Sequence, residues 1–366
     1  LVVEAVNHYS PTYAEEPATN VFATALNQAG IPFYRQPLLN LESENERANL
    51  IVEMGPKPVE FLFVGHVDTV ALSEEEDIVA QIEGDTLYGL GAADMKSGCA
   101  AMIEALTAIK RSQVPLKRGL RVALVVGEEE TSDGAEALDE AMMAPLTVIG
   151  EPTTLLPCLN HFGYFECRLM TGGVRAHAAL PEVGANAIHA MLSWMLEILN
   201  HAHKLPYPDR VAINPHEIKG GASAFVTAEE CEALLDVHLP PNADPQPVWN
   251  LIQQTRDVVD KSHGGCKFDF EQIFWQAGYI IEQKDERLHP LRRAFEQLNK
   301  EWKPGVFRSH SDANLLHEKG TLPVICGPGD LAMAHTRNES VSLEQVQKAA
   351  ELYTAIVYEA CIQTND

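Results

Sequence analysis

Apolar positions in the first third of the chain recur with two alternating spacings. Between residues 15 and 29, Val21, Phe22 and Leu26 form a helical stripe that Gly30 stops. Phe61-Leu62-Phe63-Val64-Gly65 is almost wholly apolar, as a strand buried on both faces must be. Residues 96–110 return to helical spacing, with Ala, Met and Leu on one side. Arg121–Val126 and Leu146–Ile149 are two further buried runs, and the stretch near 134–143 between them reads as helical. Strands that alternate with helices predict a mostly parallel sheet covered by helices.

The middle third has a different order. A strand near 164–171 is followed by a helix at 184–203, strands near 210–218 and 231–239, a helix at 246–262 and a strand near 266–274. This β-α-β-β-α-β succession is the ferredoxin-like pattern, a two-layer α+β unit. The first pattern then resumes with a helix at 288–302, the buried run Leu322–Cys326 and a helix at 342–361. The expected architecture is α/β: a helix-covered, mostly parallel sheet domain in two parts, residues 1–162 and 274–366, with a ferredoxin-like domain, residues 163–273, inserted between them. Hinges are expected near 162–163 and 272–275, and neither a repeat nor a low-complexity linker interrupts this plan.

Composition narrows the function classes. A chain of 366 residues suits two domains, and 46% hydrophobic with 22% charged residues is the balance of a folded protein. With 27 basic against 52 acidic residues the net charge is −25, which repels nucleic acid and anionic lipid and makes neither a partner. No run of eighteen apolar residues offers a membrane span. The seven cysteines are scattered, odd in number and never spaced C-x-x-C, which argues against a disulfide framework and a thiolate zinc site, and for a reducing cytoplasm. The chain begins at Leu1 inside what reads as a helix, so a few upstream residues are expected and the lack of a signal peptide carries no weight.

Open parallel sheets bind ligands beyond the carboxyl ends of their strands. There the first buried run continues into Gly65-His66-Val67-Asp68, the second into Gly127-Glu128-Glu129-Glu130 and the third into Gly150-Glu151-Pro152. The last leads through Gly327-Pro328-Gly329-Asp330 to His335, while the loop Gly89–Gly98 places Asp94 just before a helix. Each has an ordinary explanation alone: a hydrogen-bonded loop histidine, a solvated glutamate turn, an aspartate N-cap. Together they do not, because carboxylates converging on one low-dielectric edge would have to protonate. Divalent cations remove that cost, and His with carboxylate oxygens is a normal zinc or cobalt set.

Six motifs in fixed order, Gly65-His66-Val67-Asp68-Thr69, Gly89–Lys96, Glu128-Glu129, Gly150-Glu151-Pro152-Thr153, Ala176-His177 and Ala334–Glu339, resemble the metallopeptidase family of acetylornithine deacetylase, succinyl-diaminopimelate desuccinylase, aminoacylase and carboxypeptidase G over nearly the whole chain. The resemblance implies two Zn2+ ions per chain, with Co2+ as a substitute: His66 and Glu151 hold one, Glu129 and His335 the other, and Asp94 bridges them. It further implies that Asp68 orients His66 through its free ring N–H, and that a metal-activated hydroxide attacks the amide while Glu128 acts as general base. His177 would reach from the inserted lid and dimerisation domain into the active site of a second copy and steady the oxyanion, making a homodimer the catalytic form.

The chain departs from the family where the substrate carboxylate is bound. Relatives carry Asn-x-x-Pro and an Arg where this sequence has Phe225, Ala228 and His238, and a glycine-rich stretch where it has Arg308-Ser309-His310-Ser311-Asp312; Leu90 replaces a frequent Arg. Arg308 is therefore the candidate carboxylate clamp, since guanidinium binds carboxylate through two parallel bonds, with His310 as an assisting donor. His289 and His317 read as ordinary helix-surface residues. The Gly327–Asp330 loop and the compact lead-in to Asp94 lean towards the acetylornithine and acetyl-lysine deacetylases. The expected activity is hydrolysis of a small N-acyl amino acid, with an exopeptidase on short peptides as the alternative. A metal-binding protein without catalysis would lack a base or ligand, and none is missing.

Overall fold

The four apolar runs become neighbours in one sheet. A computed structural model describes residues 1–38, 47–72, 79–207, 211–221 and 223–363. In it Gly119–Val125, Val59–His66, Leu146–Pro152 and Leu322–Gly327 lie side by side, in that order and all parallel. Two antiparallel strands extend one side, Ala48–Met54 next to Gly119–Val125 and Phe33–Pro37 at the edge. On the other side Cys158 pairs antiparallel with Ile325. The chain is thus a mixed α/β protein with a mostly parallel central sheet. The edge strands were not anticipated: Phe33–Pro37 is largely exposed and polar, so it lacks the apolar run that marked the inner strands.

The helices Glu16–Gln28, Lys96–Ser112 and Asp312–Glu318 pack on this sheet, and Leu343–Val357 packs on Lys96–Ser112. Close approach is built in at Gly65 and Gly150, where an added Cβ would stand 2.7 Å from the Met95 methyl. Without side chains there, the helix and its lead-in Asp94 settle onto the strand ends that carry His66 and Glu151.

Three helices differ from the sequence expectation at their ends. The stretch near 134–143 is only a turn of helix, Asp133–Glu136, and a 3-10 turn, Glu140–Met142. Lys319 takes its carbonyls, donating from Nζ to Ala135 O at 2.9 Å, Glu136 O at 2.7 Å and Leu138 O at 2.6 Å. The helix expected over 288–302 is His289–Gln297, closed by Asn299 in the left-handed region at φ 53°. The helix expected from 184 begins at Ala187, because Asn186 Oδ1 accepts the N–H groups of Ile188 and His189.

By packing, the chain divides into Leu1–Leu159 with Ile281–Phe307 and Ser311–Asp366, and a second unit of Asn160–Ile280 with Arg308–His310. The second unit has a four-stranded antiparallel sheet ordered Ala212–Gly220, Glu230–Leu239, Gly163–Gly172, Lys267–Gln276. Residues alternate strictly between buried and half-buried along Gly163–Gly172, and the buried set meets Trp194 and Ile252 of the two helices Ala187–His201 and Gln246–Asp260. This is the ferredoxin-like order that the middle third of the sequence predicted.

Candidate metal centre

His66 ends the strand Val59–His66 with its side chain 1% exposed. Its Nε2 lies 3.0 Å from Asp94 Oδ1, 3.6 Å from Glu151 Oε1 and 4.0 Å from Glu128 Oε2. Asp94 is held by its own backbone: Glu339 Oε1 accepts the N–H groups of Ala93 and Asp94 at 2.8 and 3.0 Å, and Glu339 O accepts that of Gly89. The second Asp94 oxygen lies 3.5 Å from His335 Nε2, which is 3.0 Å from Glu129 Oε2. Two donor groups result, His66 with Asp94 and Glu151, and Asp94 with Glu129 and His335, and in each the donor atoms lie within 4.8 Å of one another. Asp94 belongs to both.

The donors fit divalent cations. Burial first, then neighbouring acids, pushes the carboxyls of Glu128 and Glu151 well above the ordinary range, and burial also raises Glu129. Burial opposes charge on His66, but Glu151, Asp68 and Asp94 outweigh it and raise its pKa, while the hydrogen bond to Glu129 lifts His335 to about 9. Glu151 Oε1 is buried without a hydrogen-bond partner. A cation between these groups would supply the missing partner and remove the mutual repulsion, and imidazole with carboxylate oxygens is a donor set that zinc accepts.

Asp68 touches both His66 and the loop that carries the two glutamates. The nearest acceptor to His66 Nδ1 is the backbone carbonyl of Asp68 at 3.1 Å, with the carboxylate at 3.5 Å. That carboxylate, fully buried, accepts the N–H groups of Glu128 at 3.2 Å and Glu129 at 3.0 Å and the Thr12 hydroxyl at 2.8 Å. It therefore pins the backbone from which two adjacent glutamates diverge. Two further acids lie near the centre, Glu339 and Asp312. Glu339 supports Asp94 as described, and Asp312, buried beside Ser311 at a helix start, is raised by burial to about 7.

His177, Arg308 and His310 belong to the second unit, whereas the metal-binding candidates, Asp68 and Glu128 belong to the first. His177 lies exposed in a turn, and its Nδ1 accepts the Ala179 N–H at 3.1 Å, which leaves Nε2 to carry the ring proton. Arg308 is exposed, with its guanidinium 5.8 Å from the Phe162 ring centroid. His310 Nε2 is 2.6 Å from Gln276 Oε1, and burial, with His238 nearby, lowers its pKa to about 4. Such a ring is neutral and spends its one N–H on Gln276, which leaves Nδ1 as an acceptor. His289 and His317 are exposed on their helices, as expected.

Residues 62–178 match the peptidase family M20/M25/M40, and residues 159–263 match a peptidase dimerisation domain. The chain belongs to this M20 family. Like its relatives it is a metal-dependent amidohydrolase. It is 26% identical to an acetylornithine deacetylase of Photorhabdus laumondii, over 96% of this chain and 92% of the relative. To an acetylornithine deacetylase of Edwardsiella ictaluri it is 27% identical, over 95% and 92%. Among solved structures the fold matches a tripeptidase of Staphylococcus aureus with a TM-score of 0.78 at 20% identity, covering 98% and 96% of the two chains. It also matches a dipeptidase of Saccharomyces cerevisiae with a TM-score of 0.79 at 14% identity, covering 100% and 95%. No helix among the described residues of this M20 hydrolase is long and apolar enough to cross a membrane.

Proposed function

We propose that this M20 hydrolase removes the acyl group from a small N-acyl amino acid, with two zinc ions as its resident metals. The observation that carries the proposal is Asp94, whose two oxygens serve two separate donor groups. His66 and Glu151 would hold one ion, Glu129 and His335 the other, and Asp94 both. Bound there, the pair would lower the pKa of a water and polarise the scissile carbonyl.

The chain's own residues supply the rest. Glu128, adjacent to ligand Glu129 but 4.0 Å from the His66 ring, takes a proton from the attacking water and returns it to the departing nitrogen. One water and one amide thus become one carboxylate and one amine. Asp68 keeps that base in register by holding the N–H groups of the two peptides that flank Glu128. His177 of a second copy donates its Nε2–H to the developing oxyanion, so the working form is a homodimer through the inserted unit. Arg308 binds the substrate carboxylate in a bidentate manner, and neutral His310 contributes shape and a hydrogen-bond acceptor. Seven cysteines without disulfides suit a cytoplasmic enzyme of amino-acid metabolism. The curated relatives named acetylornithine deacetylase, aligned from end to end, favour an N-acetylated basic amino acid, which the acidic chain would also attract.

The test is amine release by zinc- or cobalt-loaded protein from N-acetyl and N-succinyl amino acids with basic and neutral side chains, alongside unblocked di- and tripeptides. Cleavage of acetylated basic amino acids is expected. Cleavage confined to unblocked peptides would instead make the protein an exopeptidase. Glu128→Gln is expected to abolish turnover while about two zinc ions per chain remain; full activity in that variant would remove Glu128 from the mechanism.

A further inference from the structure

The segment Gly127–Ser132, which carries Glu128 and Glu129, has no regular structure of its own. Within it Gly127 O accepts the N–H groups of Thr131 and Ser132 at 2.9 and 2.6 Å, and side chains from elsewhere in the chain brace this turn from outside. Arg47 is the centre of that support. Its side chain is 1% exposed and lies between two acids. Nε donates to both oxygens of Glu15 at 3.1 Å, and Nη2 to Glu15 Oε1 at 2.6 Å. Towards the loop, Nη2 donates to Asp133 Oδ1 at 3.0 Å and Nη1 donates to Asp133 Oδ2. Asp133 directly follows the segment, while at its beginning a Cβ on Gly127 would overlap Asp133 Oδ1 and stand 2.5 Å from Arg47 Nη2. One ion pair therefore touches both ends of the segment.

Two further links converge on it. Asn49 accepts the Val126 N–H at 3.2 Å and donates to Gly134 O at 2.8 Å. Glu15 accepts the Tyr13 N–H at 3.0 Å, and adjacent Thr12 donates to Asp68, which holds the N–H groups of Glu128 and Glu129. The Arg47–Glu15 pair thus reaches the two glutamates by one route through Asp133 and another through Thr12 and Asp68.

We propose that Arg47, anchored by Glu15 and joined to the loop through Asp133, is a positioning residue that fixes the direction in which Glu128 and Glu129 diverge. This rests on the assignment of Glu128 as base and Glu129 as ligand. Stability alone is a poor reason to bury the Arg47–Glu15 pair, since desolvation consumes much of the attraction and apolar residues of like volume serve as well. A planar guanidinium is the group that can meet two carboxylates at once with fixed angles, which a lysine ammonium cannot do.

Arg47→Lys and Asp133→Asn test the proposal in the full-length, metal-loaded protein. Asp133→Asn leaves the Arg47–Glu15 pair intact and reduces the charged two-point link to the loop to at most one bond to a neutral acceptor, so it answers the question even if Arg47→Lys does not fold. Both are expected to lower kcat by about 10- to 100-fold, the scale of a misplaced catalytic group, with KM within about twofold. The visible absorption of the Co2+-loaded protein, which reports the ligand field at Glu129, is expected to change in band position or intensity at full cobalt content. If the fold variants merely melt earlier, with kcat and the cobalt spectrum of the parent, the brace is structural and the proposal fails. The cobalt spectrum needs no substrate, so it tests the loop even if the parent cleaves no N-acyl amino acid, an outcome that would instead count against the activity proposed above.

Discussion

Asp68→Asn changes one oxygen for one nitrogen at a fully buried position and tests whether this carboxylate holds the loop bearing Glu128 and Glu129. Oδ2 accepts from Glu129 N at 3.0 Å and Thr12 Oγ1 at 2.8 Å, and Oδ1 accepts from Glu128 N at 3.2 Å. Asparagine best keeps its oxygen at the Oδ2 position, which retains two bonds and turns its amide hydrogens against the Glu128 N–H. Leaving that buried donor unpaired costs about 1–3 kcal/mol, and weakening two bonds from charged to neutral acceptors adds about 1 kcal/mol each. The sum is about 3–5 kcal/mol, or a fall in Tm on the order of 10 °C for a unit of this size. Displacement of the Glu128 backbone should also lower kcat by about 100-fold.

Burial opposes ionisation of Asp68, but His66 and the loop N–H groups outweigh it, so its folded pKa lies below the ordinary 3.8. A depressed carboxyl pKa contributes stability above the unfolded value that is lost as pH falls through the folded one. The Tm gap between parent and variant should therefore be constant at neutral pH and narrow in acid below about 4. Calorimetry across pH with steady-state kinetics at neutral pH reads both effects. An asparagine variant with the parent Tm and with kcat within twofold would refute the argument.

Other outcomes follow from the same structure. Chelation should lower Tm, because ions that bind only the folded state stabilise it by mass action; an unchanged Tm after complete metal removal would oppose a coupled pair of sites. A thiol reagent should label at most Cys266 in the native protein, since the other six cysteines are buried and burial lifts Cys99, Cys158, Cys167 and Cys361 to about 12; unfolding should release all seven. His310 has its pKa lowered from 6.5 to about 4 by burial and by His238, so the unfolded chain takes up its proton first and stability falls as pH drops from 6.5 towards 4. His310→Gln should flatten that slope in urea titrations at a series of pH values, and an unchanged slope would mean that the imidazole is not held neutral.

The sequence by itself determined the four inner strands of the sheet and the composition of their carboxyl edge. Burial on both faces demands a continuous apolar run, and the residues just beyond such a run stand at the strand end whatever the rest of the chain does, so His66, Glu129 and Glu151 were legible together. The lengths of Asp133–Glu136 and His289–Gln297 were not, because a distant Lys319 and a left-handed Asn299 decide where those helices stop. Nor were the supports of the centre. Arg47 meets Asp133 across 86 positions, Asp68 meets the Glu129 N–H across 61, and Glu339 meets the Asp94 N–H across 245. Hydrophobic periodicity reports which side of an element is buried, over a few turns or pleats. It carries nothing about which buried donor will meet which carboxylate once the chain has closed, and only the tertiary structure decided that the acids beside the candidate metal ligands would hold backbone.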